Sequence, residues 1–462
     1  MLHLTSQTRD SLFQLWGTVT DVSPGIIRIA GISQSAGIGN EVSLMTPDGP
    51  VHGEILNVSD NRATALLFRD SDAIRIGDRV NIERDARVTP GDHWLGRIVN
   101  YRGEVVGDDQ PLPPPGLKSR RLHAAAPSAH ARKGLGERLN TGWMITDTVL
   151  PICRGQRLGL FAGSGIGKST FLGGLACGLQ ADRVVVGLIG ERSREVGEFF
   201  NRTLTPEARE RTVIVAATAS EPPGAKKRAA YCAMAAAEHF RDEGHQVLLL
   251  FDSITRFAEA HRETALTAGE TPALNAFPPS TVRTIAELAE RAGPGTDAQG
   301  DITAIFSVLV AGSDMEEPVA DMVRGILDGH IIMDRRIADR GRYPAIDILR
   351  SVSRSLPGAA TDDENALLRD YRRYLSLYEE IAPMLRANLY ERGHDAQGDR
   401  AIDLFPHLDG FVSLKNDGDI PLAFDLMKSL LNAGKPEPAP SGSGSETGSH
   451  SPGRQILTRP GG

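Results

Sequence analysis

Residues 159–170 have the sequence GLFAGSGIGKST, a glycine-rich loop that ends in Lys168, Ser169 and Thr170. The backbone N–H groups of such a loop, together with those at the start of the next helix, attract phosphate oxygens. Lys168 would reach the β and γ phosphates of a nucleotide, and the Ser169 hydroxyl would coordinate Mg²⁺. The predicted nucleotide-binding residues of the loop are Gly163, Ser164, Gly165, Ile166, Gly167, Lys168, Ser169 and Thr170.

The first position of this loop is Ala162, where the usual pattern G-x-x-x-x-G-K-[S/T] has glycine. The apolar run RLGLFAG precedes the loop and the helical run STFLGGLACGL follows it, which is the setting that a phosphate-binding loop needs. The alternative is a glycine-rich turn between a strand and a helix that binds no ligand. A lysine and a serine at the expected offsets favour the nucleotide site.

Two carboxylates at the ends of buried apolar strands would complete a hydrolytic site. Asp252 ends the run QVLLLFD, where a carboxylate is placed to hold Mg²⁺ through water. Glu191 ends the run RVVVGLIGE and is the candidate general base, which would polarise the water that attacks the γ-phosphate. Arg192, beside it, would stabilise charge on that phosphate. The charged residues further along this segment are interpreted as a surface ion-pair cluster.

Composition limits the classes of function. The chain has 462 residues, with 51 Lys plus Arg against 59 Asp plus Glu and a net charge of −8. This balance argues against a globally basic nucleic-acid binder. The three cysteines are scattered and lack metal-ligand spacing, so we expect them to be reduced. No apolar run approaches the ~20 residues that span a bilayer and the start lacks the features of a secretory signal, so we expect a cytoplasmic protein.

Changes in sequence pattern divide the chain into domains. Short β-rich runs separated by turn residues predict a small β-barrel, and Val/Ile/Leu runs that alternate with helical stretches predict an α/β domain with a parallel sheet. Helical hairpins follow, and then a tail with too little apolar material to become ordered. The predicted divisions are 1–15 as an N-terminal segment, 16–99 as the barrel, 100–138 as a linker, 139–357 as the α/β domain, 358–435 as the helical domain and 436–462 as a disordered tail.

Longer motifs follow one another along the chain. Their order is GSGIGKST, GLIGERSREVGEFF, LLLFDSITRFAEAHRE, FPPSTVRTIAELAERAG, ITAIFSVLVAGSDMEEPVADMVRGILDGHIIMDR and RYPAIDILRSVSR. Over residues 16–432 the chain resembles the ATPases of flagellar and type III protein export, a family similar to the catalytic subunit of rotary ATP synthases. The resemblance implies a RecA-like ATPase core, with ATP as substrate and Mg²⁺ as cofactor. In this family alanine is common at the first loop position, so Ala162 fits a working site.

The resemblance implies two more site residues. Tyr343, in RYPAID, falls where the family stacks an aromatic ring on adenine; the alternative is a half-buried core tyrosine. Arg354, in SVSR, falls where the family supplies an arginine finger to the nucleotide of the neighbouring subunit. A finger that acts on a neighbour requires assembly, and the family assembles as a homohexameric ring.

The resemblance also implies partners. We expect a stator-like regulatory protein bound by residues 1–15, a central stalk-like protein, the export gate membrane complex, and export chaperones and substrates. The alternative for residues 1–15 is a frayed terminus with an incidental apolar face. The expected location is the cytoplasm, in peripheral association with the inner membrane at the export apparatus. No nucleic-acid partner is expected.

Several systems share these motifs. The overall sequence pattern of AAAEHFRDEGHQVLLLFDSITRFAEAHRE favours flagellar export over virulence-type secretion, which stays open as the alternative. A rotary synthase subunit is disfavoured by Ala162 and by the short C-terminal region. A hexameric RNA translocase shares the RecA-like core, but the acidic balance and the lack of an aromatic-basic motif in the barrel argue against it.

Overall fold

The computed structural model of this protein describes residues 15–69, 72–83, 85–107, 118–273, 277–310 and 315–433. The predicted N-terminal segment, apart from Leu15, and the predicted tail therefore lie outside the described residues. The same is true of residues 108–117 in the linker. None of the helices in the described ranges combines the length and the apolar character needed to cross a lipid bilayer.

The N-terminal strands form a closed antiparallel barrel in the order β1-β2-β5-β4-β3-β6. Their bounds are β1 Trp16–Ser23, β2 Ile26–Ala30, β3 Glu41–Thr46, β4 Gly49–Ser59, β5 Arg62–Leu67 and β6 Arg79–Glu83. Inward side chains such as Val19, Ile27 and Val42 are fully buried and fill the interior, as the alternating pattern requires. The barrel predicted from the sequence is confirmed.

The central domain is built on a nine-stranded sheet. Its strands are β8 Arg97–Val99, β10 Arg157–Ala162, β11 Arg183–Glu191, β12 Thr212–Thr218, β13 Gln246–Asp252, β14 Gly293–Pro294, β15 Asp301–Leu309, β16 Gly329–Met333 and β17 Ile346–Ser353. The order is β17-β16-β10-β15-β13-β11-β12-β8, with β14 beside β15, and all pairs are parallel except those made by β14 and β17. The α/β fold class is therefore confirmed.

Helices cover both faces of this sheet. Their bounds are α1 Met144–Asp147, α2 Lys168–Gly178, α3 Ser193–Glu198, α4 Pro206–Glu210, α5 Pro223–Asp242, α6 Ile254–Thr267, α7 Pro279–Arg291, α8 Pro318–Ile326 and α9 Arg335–Asp339, with a π-helical turn at Phe199–Thr203. One apolar core lies under α2 and α4, and a second lies under α5, α6, α7 and α8. A sheet buried on both faces explains the continuous apolar strands in the sequence.

The boundary of the barrel differs from the expected one. The barrel closes with β6, which ends at Glu83, whereas the sequence pattern extended it to residue 99. Strand β7 (Arg87–Val88) pairs instead with β9 (Arg120–Arg121), and β8 joins the central sheet beside β12. A three-residue strand carries no sign of which sheet it will enter, because its partner is more than 100 residues away.

The C-terminal region is helical, as predicted, with α10 Asp362–Arg386, α11 Ala396–Phe411 and α12 Ile420–Asn432. Helix α10 begins with a capping box, in which the Thr361 side chain accepts from the Glu364 N–H and the Glu364 side chain accepts from the Thr361 N–H. The buried Tyr371 hydroxyl donates to the Leu408 carbonyl at 2.7 Å and ties α10 to α11.

Helix α5 also joins the central domain to the barrel through buried ion pairs. Lys227 Nζ donates to Glu54 Oε1 at 3.1 Å, and Arg228 Nη1 donates to Glu41 Oε2 at 3.0 Å. His52 lies beside Glu41, and burial, together with nearby arginines, lowers the pKa of His52 to about 4. We call Glu41, Glu54, Lys227 and Arg228 the interface ion pairs.

Candidate nucleotide site

The loop between β10 and α2 lies at the carboxyl edge of the parallel strands, where open α/β sheets bind ligands. Gly165 and Gly167 have φ of 76° and 90°, in the left-handed region that glycine adopts without strain. Within the described residues, no group accepts a hydrogen bond from the backbone N–H of Gly167, Lys168 or Ser169. These N–H groups, at the start of α2, are therefore free to bind phosphate oxygens.

Two strand ends and the phosphate loop bring charged side chains together. Lys168 Nζ forms an ion pair with Asp252 Oδ1 and lies 3.8 Å from Glu191 Oε1. The Ser307 hydroxyl, on β15, donates to the same Asp252 oxygen at 2.5 Å. The Lys168, Glu191 and Asp252 side chains are 12%, 18% and 6% exposed. We call these three residues the phosphate-loop cluster.

Glu191 has an altered affinity for protons in this cluster. Burial and the negative charge of Asp252 raise the pKa of Glu191 to about 7, although the Lys168 ammonium opposes the shift. A general base works best when its pKa is close to the working pH. A carboxylate in a partly buried site, with this pKa and next to a phosphate-binding loop, is suited to accept a proton from water.

The residues present fit a magnesium ion. Ser169 lies exposed at the start of α2, and among the described residues no donor reaches Oδ2 of Asp252. Hydroxyl and carboxylate oxygens are ligands that Mg²⁺ prefers, usually with water and substrate phosphates. Ser169 and Asp252 would hold the ion, as the sequence predicts.

Tyr343 lies against the loop. Its side chain is 50% exposed, and a Cβ added to Gly167 would lie 3.4 Å from Tyr343 Cδ1. The ring thus borders the phosphate loop and keeps an open face. The alternative, a half-buried core tyrosine, has the same exposure, so stacking on adenine stays a prediction.

Arg335 and Ser307 also support the site, although the sequence motifs do not single them out. Arg335 Nη2 donates to the Ser164 carbonyl at 2.9 Å and so holds the loop from α9. Ser307 supports Asp252 from inside the apolar run ITAIFSVLV. A hydroxyl within such an apolar run is the signal, because a buried polar group needs a partner.

Two predicted residues lie away from the cluster. The Arg192 side chain is 77% exposed and lies 3.5 Å from Glu195 Oε1, so it belongs to the surface ion pairs in this structure. Arg354 directly follows β17, which runs antiparallel to β16 and ends where β16 begins. Its N–H donates to the carbonyl of Asp328, the residue whose side chain also binds the first residue of β10. Arg354 therefore lies at the opposite edge of the sheet, about 16 Å from the loop if β10 rises ~3.3 Å per residue.

The fold and the site together define a class. A phosphate-binding loop with carboxylates on neighbouring parallel strands, between a β-barrel and a helical domain, is an ATPase architecture with a RecA-like core.

Comparison with known proteins gives the family. The family described as ATP synthase alpha/beta family, nucleotide-binding domain, matches residues 142–353, and the T3SS EscN ATPase C-terminal domain matches 360–423. The flagellum-specific ATP synthase of Caulobacter vibrioides is 41% identical over 86% of this chain and 91% of that protein. The SPI-2 type 3 secretion system ATPase of Salmonella typhimurium is 39% identical over 87% of this chain and 91% of that protein.

Solved structures agree. The assembled ATPase EscN from the enteropathogenic E. coli type III secretion system has a TM-score of 0.82 and 30% identity, and the match covers 90% of this chain and 100% of that chain. EscN in complex with its central stalk EscO matches with a TM-score of 0.81 over the same shares. The chain belongs to the family of flagellar and type III secretion ATPases, and it is an ATP-hydrolysing enzyme. The resemblance found in the sequence is confirmed.

Proposed function

We propose that this protein hydrolyses Mg-ATP as a ring of six identical subunits and thereby energises or primes the export of unfolded proteins through a flagellar type III apparatus. Two flagellum-specific relatives, at 41% and 40% identity, support the flagellar system. Virulence-type secretion is the second candidate, because the SPI-2 ATPase is 39% identical. Loss of motility on deletion of the gene, with secretion of virulence effectors intact, would select the flagellar system. The reverse result would select the virulence-type system.

The phosphate-loop cluster supports a direct hydrolytic step. Glu191 accepts a proton from the water that attacks the γ-phosphorus, and the bond from that phosphorus to the ADP oxygen breaks. Lys168 and the loop N–H groups bind the β and γ phosphates and balance the charge that develops on them. Mg²⁺, held by Ser169 and Asp252, would supply positive charge to the same phosphate oxygens. Tyr343 stacks on the adenine ring.

Arg354 completes the site of the neighbouring subunit in this proposal. Its position at the edge opposite the phosphate loop supports this role, since its own subunit's nucleotide is out of reach. Its guanidinium would stabilise charge on the neighbour's γ-phosphate, a contribution of about 10³- to 10⁵-fold in related reactions. Arg192, exposed near Glu191, would turn from Glu195 to the γ-phosphate when the nucleotide binds.

The proposed partners follow from the family. They are a central stalk-like protein, a stator-like regulatory protein at residues 1–15, the export gate in the inner membrane, and export chaperones with their substrates. The complex of EscN with its central stalk EscO supports the first of these. We propose that the protein works in the cytoplasm at the membrane-bound export apparatus.

Mixing of two inactive variants tests the ring and the role of Arg354. A Lys168→Ala subunit has a defective phosphate loop and a sound finger, and an Arg354→Ala subunit has the reverse. Mixed rings contain interfaces that pair a sound loop with a sound finger, so the mixture should recover partial ATPase activity. No recovery in rings shown to contain both variants would mean that Arg354 does not act on its neighbour.

A further inference from the structure

The backbone around Arg354 is held on both sides at the amino edge of the central sheet. The Arg354 N–H donates to the Asp328 carbonyl at 3.1 Å. The hydroxyl of the preceding residue, Ser353, donates to the Pro151 carbonyl at 2.7 Å and accepts from Gln156 Nε2 at 3.0 Å. Ser353 and Gln156 are buried, whereas Arg354 is exposed. The backbone is thus held in place where the Arg354 side chain extends into solvent.

Asp328 is fixed in turn by Arg157. The Arg157 N–H and Nε both donate to Asp328 Oδ2 at 3.0 Å, and Nη2 donates to Oδ1 at 3.1 Å. A two-pronged pair of this kind sets the orientation of both side chains as well as holding them together. The Arg157 side chain is 14% exposed and that of Asp328 is 26% exposed, so water competes with the pair only in part.

Arg157 is the first residue of β10, and Ala162, its last, leads into the phosphate loop. One strand therefore carries a subunit's own phosphate loop at one end and the support of its arginine finger at the other. Arg157 also donates to Glu290 Oε1 at 2.6 Å, which anchors its guanidinium to the end of α7. Arg157 thus belongs to the central sheet, and Asp328 directly precedes β16 of the same sheet.

We propose that Arg157 and Asp328 are positioning residues for ATP hydrolysis in the neighbouring subunit, because they hold the Arg354 backbone where its guanidinium meets the neighbour's γ-phosphate. This inference rests on the proposed function of Arg354. Loss of a pair that only stabilises the fold would weaken the subunit's own nucleotide site or its folding. Loss of a positioning pair would impair only the arginine finger.

Asp328→Asn is the direct test. The amide keeps the size of the side chain and leaves the Asp328 carbonyl in place, but it breaks the charged pair with Arg157. We expect kcat to fall by about 10- to 100-fold, the cost of a small misplacement of a catalytic group. The KM and Kd for ATP should stay unchanged, since the subunit's own phosphate loop is intact.

Mixing assigns the defect to the finger. Asp328→Asn subunits mixed with Lys168→Ala subunits should recover activity, because the second variant supplies sound fingers. Asp328→Asn mixed with Arg354→Ala should recover none, because both variants lack a working finger. Asp92→Asn is the matched control: Asp92 pairs with Arg183, the first residue of β11, at 3.3 Å on the same edge of the sheet. This control should match the wild type.

Two results would overturn the inference. If Arg354→Ala recovers activity with Lys168→Ala but Asp328→Asn does not, Arg354 acts on its neighbour and the pair is merely structural. If Arg354→Ala itself recovers nothing in co-assembled rings, the proposed role of Arg354 fails, and the inference fails with it. Arg157→Lys, which keeps the charge but not the two-pronged geometry, should show the same kcat loss and mixing pattern, and it replaces Asp328→Asn where that variant does not fold.

Discussion

Two clusters of lysine and carboxylate side chains in this protein differ in how their charges are matched. In the phosphate-loop cluster, one cation, Lys168, serves two carboxylates: it pairs with Asp252 and lies 3.8 Å from Glu191. At the interface between the barrel and α5, each cation has its own carboxylate, as when Lys227 donates to Glu54 at 3.1 Å. Unmatched negative charge marks the proposed Mg²⁺ site, and matched charge marks the structural contact.

The pKa values of the two glutamates reflect this difference. Burial and Asp252 raise the pKa of Glu191 to about 7. Burial alone would also raise the pKa of Glu54, but its attraction to Lys227 lowers that pKa below the ordinary value. Burial beside a like charge thus raises the pKa of one glutamate, and a buried pair with a cation lowers the pKa of the other.

Loss of the lysine should have the largest and most different effects in the two clusters: on ATP hydrolysis in one and on folding stability in the other. Lys168→Ala should abolish ATP hydrolysis, with a loss of about 10³-fold or more, because the β and γ phosphates lose their cation. Lys227→Met should leave Glu54 buried without a partner, which costs about 3–5 kcal/mol in the free energy of unfolding. ATPase assays and chemical denaturation on both variants check these effects. Retained turnover in Lys168→Ala would remove the lysine from the mechanism.

Glu191→Gln gives the next largest effect. The amide keeps the shape of the side chain but cannot accept the proton from water, so kcat should fall by about 10²-fold or more. Nucleotide binding, measured by titration calorimetry with a slowly hydrolysed ATP analogue, should be retained. Equal loss of binding and hydrolysis would mean that Glu191 organises the site and is not its base.

The sequence predicts the phosphate-loop cluster well for a physical reason. Parallel strands end at one edge of a sheet, so residues that end apolar strands, such as Glu191 and Asp252, must lie near a loop that ends another strand. The nucleotide-site motif is local, and its backbone conformation follows from glycine at positions 165 and 167. Neither inference needs long-range pairing to be known.

The other features depend on long-range pairing, and pattern alone does not give them. The placement of β8 beside β12 joins residues more than 100 positions apart, which is why the barrel boundary at 99 differs from the observed end at Glu83. The distance of Arg354 from its own loop follows from the antiparallel pairing of β16 with β17. Its support by Asp328 and Arg157 follows from the same strand order.

Acid should have opposite effects on Glu191, in the phosphate-loop cluster, and on His52, beside the interface ion pairs. The folded-state pKa of Glu191, about 7, lies above its ordinary 4.5, so stability linked to it is present below pH 4.5 and is lost as pH rises through 7. The pKa of His52, about 4, lies below its ordinary 6.5, so stability linked to it is present above pH 6.5 and is lost as pH falls toward 4. Each effect amounts to about 1–2 kcal/mol once solvent screening is allowed for.

Denaturation as a function of pH, without nucleotide and Mg²⁺, measures both effects. Glu191→Gln should be more stable than the wild type at pH 8 and equal to it near pH 4.5. His52→Gln should gain on the wild type between pH 6.5 and 4.5, because the variant no longer has a buried imidazole to charge. Parallel shifts of both variants across the whole pH range would refute the assigned pKa values.

The smallest effect is expected at Tyr343, which borders the phosphate loop without belonging to the charged cluster. Tyr343→Ala should raise the KM for ATP about fivefold, near 1 kcal/mol, because a half-exposed ring gives the lower end of the stacking energy. The kcat should stay unchanged, since adenine is bound equally in the ground state and the transition state. Tyr343→Phe keeps the ring and should match the wild type. An equal rise in KM in both variants would assign the contribution to the hydroxyl. Tyr343 would then act through a hydrogen bond and not by stacking on adenine.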